Sequence, residues 1–161
     1  MILVVGATGM LGNEICLLLA KQGQSVRALV RSTSAVERTE TLKAVGVELV
    51  VGARLDPQFG PLIVVGLGGV LVELLADTAV ELAPVDAGQA RRMLESLKGY
   101  KLLTGYRGSA PVDLDRLAGI VSAVSRLAAD LADTIAEIDV NPVICSAERI
   151  VAVDGLIVRW E

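Results

Sequence analysis

The sequence has 161 residues, of which 53% are hydrophobic and only 2% aromatic. A chain of this length predicts one domain, or two small lobes that share a core of Val, Leu, Ile and Ala. Its net charge of −4 argues against nucleic acid or an anionic membrane as a partner. The absence of histidine excludes acid–base, nucleophilic and metal chemistry based on that residue.

The first part of the chain predicts a parallel β-α-β-α-β unit. We expect strands at residues 2–5, 25–30 and 47–51, and helices at residues 10–22 and 34–46. Short apolar strands that alternate with helices indicate a parallel sheet with right-handed crossovers.

A glycine-rich turn joins the first strand to the first helix. Gly6, Gly9 and Gly12 have the spacing G-x-x-G-x-x-G. Glycine here allows a sharp turn, the approach of a pyrophosphate to the backbone and close helix–strand packing. The first amides of the helix then point towards the phosphates. The pattern predicts nucleotide binding, and a tight turn without a ligand is the alternative.

After Gly52 the pattern changes to strand-like runs with no helix between them. Residues 61–84 hold apolar runs separated by short turns, which predicts antiparallel hairpins. The longest apolar stretch, residues 62–76, contains Glu73 and several glycines and is too short to span a bilayer. We therefore expect buried sheet here and no membrane partner.

Two helices and two further strands complete the predicted second part. Asp86 precedes a predicted helix at residues 89–97, and Asp113 precedes a longer one with apolar residues at helical spacing. Both aspartates are suited to cap those helices. The stretches 135–145 and 149–160 predict strands.

The two cysteines predict free thiols. Cys16 falls in a predicted helix and Cys145 in a predicted strand, and neither has a C-x-x-C partner. Met1 leads directly into a strand, without a basic region or a cleavage site. These features predict a cytoplasmic protein.

The stretches VVGATGMLG, VRALVRS and VGVELVVG carry a first resemblance. Residues 1–52 look like the start of an atypical short-chain dehydrogenase of the NmrA-like, NAD(P)-binding group. The resemblance implies a Rossmann-like segment that binds a dinucleotide. In that family an Asp follows the glycine after strand 3, whereas Ala53-Arg54 stand at this point.

The stretches DPQFGPLIVVGLGGVLVELLAD, LKGYKLLTGYRG and AEIDVNPVI carry a second resemblance. Residues 53–161 look like the C-terminal lobe of the ATP-grasp domain in ADP-forming acyl-CoA synthetases. This resemblance implies an antiparallel α+β lobe. The fold class expected for the whole chain is therefore α/β, with a parallel Rossmann-like unit fused to that lobe.

The end of strand 2 indicates a choice of cofactor. It carries no acidic residue for the ribose hydroxyls of NAD, whereas Arg31 can pair with a 2′-phosphate and Ser32 can add a donor. An ordinary solvated arginine is the alternative. We expect a small-molecule nucleotide, NADP, at this place, and the predicted contact residues are Gly6, Thr8, Gly9, Met10, Leu11, Gly12, Arg31 and Ser32.

The second resemblance implies a magnesium site with ATP. Its metal-binding residues correspond to Asn141 and Asp154, with Glu137 and Asp139 as neighbouring carboxylates. Oxygen ligands of this kind suit a hard cation. The alternative is that Asn141-Pro142 makes a turn between two strands and that Asp154 begins another strand.

Each of the two segments is incomplete as a domain. The first stops after three strands, and the second lacks the N-terminal lobe of its family. We interpret the chain as an engineered chimera of residues 1–52 and 53–161 with one shared core. A natural fusion or a truncated gene product is the alternative. A homodimer would cover the exposed sheet edges.

Catalytic residues of both resembled families are missing. A short-chain dehydrogenase uses Tyr-x-x-x-Lys, but Thr104 and Ala110 stand four residues after Tyr100 and Tyr106. The synthetases pass phosphate through a histidine, which this chain lacks. We therefore expect residual nucleotide binding without turnover. The alternatives are a recombined fold without a ligand, and an ATP- and magnesium-binding fragment of a synthetase that needs a partner lobe.

Overall fold

The computed structural model describes residues 2–5, 26–29, 47–68 and 76–160. The chain divides into two compact units, Met1–Thr41 and Leu42–Glu161. In the first unit, β1 (Ile2–Val5) pairs in parallel with β2 (Val26–Leu29). This agrees with the parallel pairing predicted for the first two strands. Both predicted helices of this segment lie outside the described residues.

The described part of the second unit contains a six-stranded antiparallel sheet and three helices. The elements in chain order are β3 (Val47–Asp56), β4 (Gly60–Leu67), β5 (Thr78–Leu82), α1 (Ala87–Ser96), α2 (Tyr100–Leu103), α3 (Leu114–Asp130), β6 (Ile135–Cys145), β7 (Ile150–Ala152) and β8 (Leu156–Arg159). The strands follow the order β5-β4-β3-β6-β7, and β8 also pairs with β6.

The predicted three-stranded parallel unit is wrong in its third strand. β3 lies between β4 and β6 and pairs antiparallel with both of them. It is also longer than predicted, because it continues past Val51 to Asp56. The predicted boundary between the segments 1–52 and 53–161 lies inside this strand. The division of the chain into these two segments stays a prediction.

The hairpin between β3 and β4 has a local cause. The Asp56 carboxylate Oδ1 accepts bonds from the backbone N–H of Gln58 (2.8 Å) and of Phe59 (3.0 Å), which closes the turn. Gly60 follows with φ +86°, a conformation that glycine adopts without steric cost. The antiparallel β4–β5 pair after this hairpin confirms the arrangement predicted for residues 61–84.

Both predicted helix caps are confirmed. The Asp86 carboxylate accepts a bond from the Gln89 N–H at 2.7 Å, and the Gln89 side chain accepts one from the Asp86 N–H at 2.9 Å. This reciprocal pair is a capping box that fixes the start of α1. The Asp113 carboxylate accepts a bond from the Arg116 N–H at 3.0 Å and so fixes the start of α3.

The core lies on one face of the sheet. In the middle of β3 and of β4, buried residues alternate with half-buried or exposed ones, as expected for strands with one face against a core. Apolar residues of the helices complete the same cluster. Its strand and helix members include Leu49, Val51, Ala53, Ile63, Val65, Leu67, Leu94, Leu103, Leu117 and Val121.

A buried carboxylate fastens α2 to the sheet. Asp77 is only 3% exposed, and its two oxygens accept bonds from the N–H groups of Lys98 (2.7 Å) and Gly99 (2.8 Å). Gly99 lies so close to Leu67 that a Cβ there would clash with the leucine Cδ1. The start of α2 is thus held against the end of β4 by two hydrogen bonds to the Asp77 carboxylate and by close packing of Gly99 on Leu67.

Two details of the predicted C-terminal strands need correction. Asn141 and Pro142 lie within β6 and do not form a turn between strands. Asp154 lies between β7 and β8 and does not begin a strand. The predicted free thiol of Cys145 is confirmed, and burial raises the pKa of that thiol to about 12. Within the described residues, no helix has the length and hydropathy needed to cross a membrane.

The assignment of sheet faces can be tested with two neighbouring residues of β4. Ile63 is fully buried, whereas Leu62 lies on the other face and is half-buried. We expect Ile63→Ala to lower the free energy of unfolding by about 2–5 kcal/mol. Leu62→Ala should lower it by about 1 kcal/mol or less. Urea unfolding followed by circular dichroism measures both, and equal losses would contradict the assignment.

Candidate functional site

Ten residues form a surface on the sheet face opposite the core, which we call the open face. The register of the strands aligns them in two rows of directly opposed residues. All ten are exposed or half-buried. The rows are Leu82, Leu62, Arg54, Glu137 and Val158, and Val80, Val64, Gly52, Asp139 and Leu156.

The centre of the open face is polar and its two sides are apolar. Arg54 of β3 stands opposite Glu137 of β6, and in the next row Gly52 stands opposite Asp139. A Cβ added at Gly52 would lie 3.2 Å from the Ile138 carbonyl oxygen and 4.0 Å from Asp139 Oδ1, so backbone and this carboxylate both border a position without a side chain. The glycine therefore leaves a shallow gap between charged neighbours.

Asn141 and Asp154 lie next to this centre and next to each other. Asn141 directly precedes Pro142 in β6, and Asp154 directly follows Val153. The Val153 N–H donates a 3.0 Å bond to the Pro142 carbonyl, which holds the two segments together. Both Asn141 and Asp154 are exposed. The fold thus brings together two residues that are 13 positions apart in the sequence.

The carboxylates around Asn141 repel one another. Partial burial, followed by the negative charges of Glu137 and Asp154, raises the pKa of the Asp139 carboxyl above its ordinary value. One oxygen of Asp154 accepts a 2.9 Å bond from the Gly155 N–H. Within residues 47–68 and 76–160, no ion pair neutralises these three acids. A cation at this place would relieve the repulsion.

The donor atoms at this place suit Mg²⁺ bound together with phosphate. No group of three or more Asp, Glu, His or Cys with a metal-binding arrangement occurs among the described residues. Mg²⁺ in nucleotide sites needs only one or two protein ligands, because water and phosphate oxygens supply the others. Asn141 and Asp154 offer one amide oxygen and one carboxylate. Their role as metal ligands stays a prediction.

The predicted dinucleotide site falls outside the described residues. This applies to the whole glycine-rich turn and to the end of strand 2, that is, to Gly6, Thr8, Gly9, Met10, Leu11, Gly12, Arg31 and Ser32. Their binding role therefore remains a prediction from the sequence.

Sequence reasoning missed the place of Arg54 in the site. We treated Ala53-Arg54 only as a departure from a dehydrogenase pattern. The polar residues Glu48, Arg54 and Asp56 share one side of the alternation, and Leu49, Val51 and Ala53 share the other. This was the available signal, because it predicts a strand with only one wholly apolar face.

An antiparallel sheet with helices on one face and oxygen donors on the other defines an α+β lobe with an exposed polar site. The chain belongs to the ATP-grasp domain family, whose family model matches residues 20–158. This match confirms the family of the second resemblance.

The relatives are ligases that act on coenzyme A. The beta subunit of the ADP-forming acetate–CoA ligase I of Pyrococcus furiosus is 42% identical over 110 residues, which cover 68% of this chain and 47% of that subunit. The ADP-forming 4-hydroxybutyrate–CoA ligase of Nitrosopumilus maritimus is 43% identical over 99 residues, or 62% of this chain and 14% of that protein. The chain thus spans less than half the length of either relative.

Solved structures with a similar fold come from the same group. The dinucleotide-forming acetyl-coenzyme A synthetase 1 of Candidatus Korarchaeum cryptofilum, in complex with coenzyme A and Mg-AMPPCP, has a TM-score of 0.68 and 37% identity. The alignment covers 81% of this chain and 66% of the other. Another complex of that synthetase, with coenzyme A and Ca-AMPCP, has a TM-score of 0.67 and 42% identity.

These findings correct three predictions. An engineered chimera is wrong, because one family match runs from residue 20 through position 52 to residue 158. The prediction that the chain is not an enzyme is also wrong, because its relatives are ADP-forming ligases and the chain matches part of such an enzyme. Neither the comparisons nor the fold supports a dehydrogenase segment or NADP, and a homodimer is not shown.

The repulsion at Asp139 has a testable effect on stability. Because its folded-state pKa is raised, ionisation of Asp139 costs stability. This cost is absent below the ordinary carboxyl pKa of about 3.9, grows as the pH rises to the raised value, and is constant above it. We expect Asp139→Asn to raise the free energy of unfolding at pH 7, by at most about 1 kcal/mol because solvent screens a half-buried group.

The control for this effect is Asp133→Asn, which changes an exposed carboxylate on the turn before β6. Urea unfolding of the three proteins between pH 3 and pH 8 provides the measurement. The gain in the free energy of unfolding from Asp139→Asn should disappear at the acid end of this range. An advantage that does not depend on pH, or one that the control shares, would contradict the assignment.

Proposed function

We propose that the chain is the part of an ADP-forming acyl-CoA synthetase that binds the magnesium-bound phosphates of ATP in an ATP-grasp domain. The observation that carries this proposal is the adjacency of Asn141 and Asp154 beside the open face, in a chain of that family. The relatives supply the reaction class, since they are ligases that form ADP.

The charges around Asn141 support a bound cation. Glu137, Asp139 and Asp154 place negative charge in one small region. Partial burial adds to the free-energy cost of ionising Asp139. Without a cation, a polyphosphate would meet only repulsion from these acids. When bound, Mg²⁺ would neutralise phosphate charge and orient the transferred phosphoryl group.

The residues of this chain would hold the phosphates in place. The Asn141 amide oxygen and the Asp154 carboxylate would ligate the cation from the two adjacent segments. The gap at Gly52 leaves room above the sheet for an extended phosphate chain. The apolar sides of the open face would exclude water from the same region.

Another chain or segment would have to supply the phosphate-carrying residue. The structure of the Korarchaeum synthetase is described with a phosphohistidine segment that points towards the nucleotide binding site. This chain has no histidine. We therefore propose that it provides one wall of the nucleotide site and that catalysis needs a partner with the remaining lobe and the histidine.

The proposal predicts nucleotide binding that depends on magnesium. We expect the full chain to bind ATP weakly and only with Mg²⁺, because the partner lobe is missing. Asn141→Ala and Asp154→Ala should each lower the Mg-ATP affinity at least about tenfold, the smaller end of losses seen when metal sites are disturbed. Isothermal titration calorimetry with ATP, with and without Mg²⁺, measures this.

Asp133→Ala is the matched control, since it removes an exposed carboxylate away from the site. It should leave the Mg-ATP affinity unchanged. ATP binding that is equally tight without Mg²⁺ would contradict the proposal, and so would Asn141→Ala and Asp154→Ala variants that bind like the unaltered chain.

A further inference from the structure

We propose that Arg54 binds the terminal phosphate of a nucleoside triphosphate on the open face, so that the face distinguishes triphosphate from diphosphate. This inference rests on the proposed function. It adds Arg54 to the proposed metal ligands Asn141 and Asp154, and it assigns Arg54 to one phosphate group.

Arg54 is the only cation among the ten residues of the open face. It is exposed and lies in the row next to Gly52 and Asp139. Because residues i and i+2 of a strand point to the same side, its side chain shares a face with the gap at Gly52. A ligand that lies over Gly52 is therefore within reach of the Arg54 guanidinium.

The guanidinium of Arg54 has no acceptor within the described ranges of the chain. No hydrogen bond or ion pair joins it to Glu137, although the two residues are directly opposed across β3 and β6. A half-buried arginine elsewhere in the described chain does form such pairs. Arg91 contacts Glu95 at 2.9 Å and Asp115 at 2.8 Å. The donors of Arg54 are thus available to a ligand.

The separation of Arg54 from the metal pair fits a chain of phosphates. Glu137, opposite Arg54, lies four residues before Asn141 in β6, or about 13 Å at the usual rise of a strand. The extended Arg54 side chain would reach in from one end of this distance. A metal-ligating side chain and its cation would reach in from the other end, which leaves room for a phosphate group between them. The phosphate farthest from the nucleoside would occupy this room.

The chemistry of the side chain agrees with a phosphate ligand. A guanidinium presents paired N–H donors that match two phosphate oxygens. Glu137 and Asp139 beside it disfavour an anion that arrives without a cation. Arg54 should therefore act only on a phosphate that is already bound to Mg²⁺, and its effect should depend on the number of phosphates.

The test compares Mg-ATP with Mg-ADP in calorimetric titrations of the full chain. We expect Arg54→Gln to weaken Mg-ATP about tenfold or more, the effect of losing one charge-assisted contact, and Mg-ADP less than twofold. Arg54→Lys should lie between the unaltered chain and Arg54→Gln for Mg-ATP, because it keeps the charge but loses the paired donors.

Arg116→Gln is the control, since this exposed arginine lies on α3, which packs against the core. It should change neither affinity. Urea midpoints without nucleotide should be equal for the unaltered chain and Arg54→Gln, which separates a binding role from a folding role.

Each other outcome has a definite meaning. Equal losses of Mg-ATP and Mg-ADP, or no loss of either, would overturn the assignment of Arg54 to the terminal phosphate. In those cases the proposed function still stands if Asn141→Ala weakens both nucleotides. If the unaltered chain binds neither nucleotide with Mg²⁺, then both proposals are wrong.

Discussion

The antiparallel pairing of β3 with both β4 and β6 is the constraint on which the second unit depends. It makes β3 a central strand, so its side chains must serve two surfaces at once. Leu49, Val51 and Ala53 enter the core, whereas Gly52 and Arg54 lie on the open face. A shift of β3 by one residue relative to its neighbours would exchange the two sets, placing Arg54 in the core. The core and the site are thus fixed by the same register.

Local patterns in the sequence predicted α1, α3 and the antiparallel β4–β5 pair, but not the short helix α2. Asp86 and Asp113 cap α1 and α3 as expected, because capping depends on residues only three positions apart. The direction of β3 was predicted incorrectly, since a short apolar run does not specify its partners. Its true neighbours, β4 and β6, are set by a hairpin on one side and by a pairing of residues about 90 positions apart on the other.

The candidate site could be predicted only in part. Asn141 and Asp154 were named from a resemblance, but the turn proposed for Asn141-Pro142 was wrong because that pair lies inside β6. The effect of Asp154 on Asp139 requires the folded arrangement, because it joins two separate segments, β6 and the connection between β7 and β8. The idea of a chimera arose because the first segment has a glycine pattern shared by unrelated nucleotide-binding proteins, and such patterns do not define a family by themselves.

The contacts of Val85 have a consequence for the order in which this unit assembles. Its N–H donates to the Ser125 hydroxyl at 3.0 Å, and its carbonyl accepts from the Ser122 hydroxyl at 2.9 Å. Both partners belong to α3, 37 and 40 residues further along the chain. The N–H and carbonyl of Val85, between β5 and α1, are therefore satisfied by neither element, and their hydrogen bonds form only when α3 is in place. During synthesis, these hydrogen bonds cannot form until the residues of α3 have been made and packed against the segment between β5 and α1.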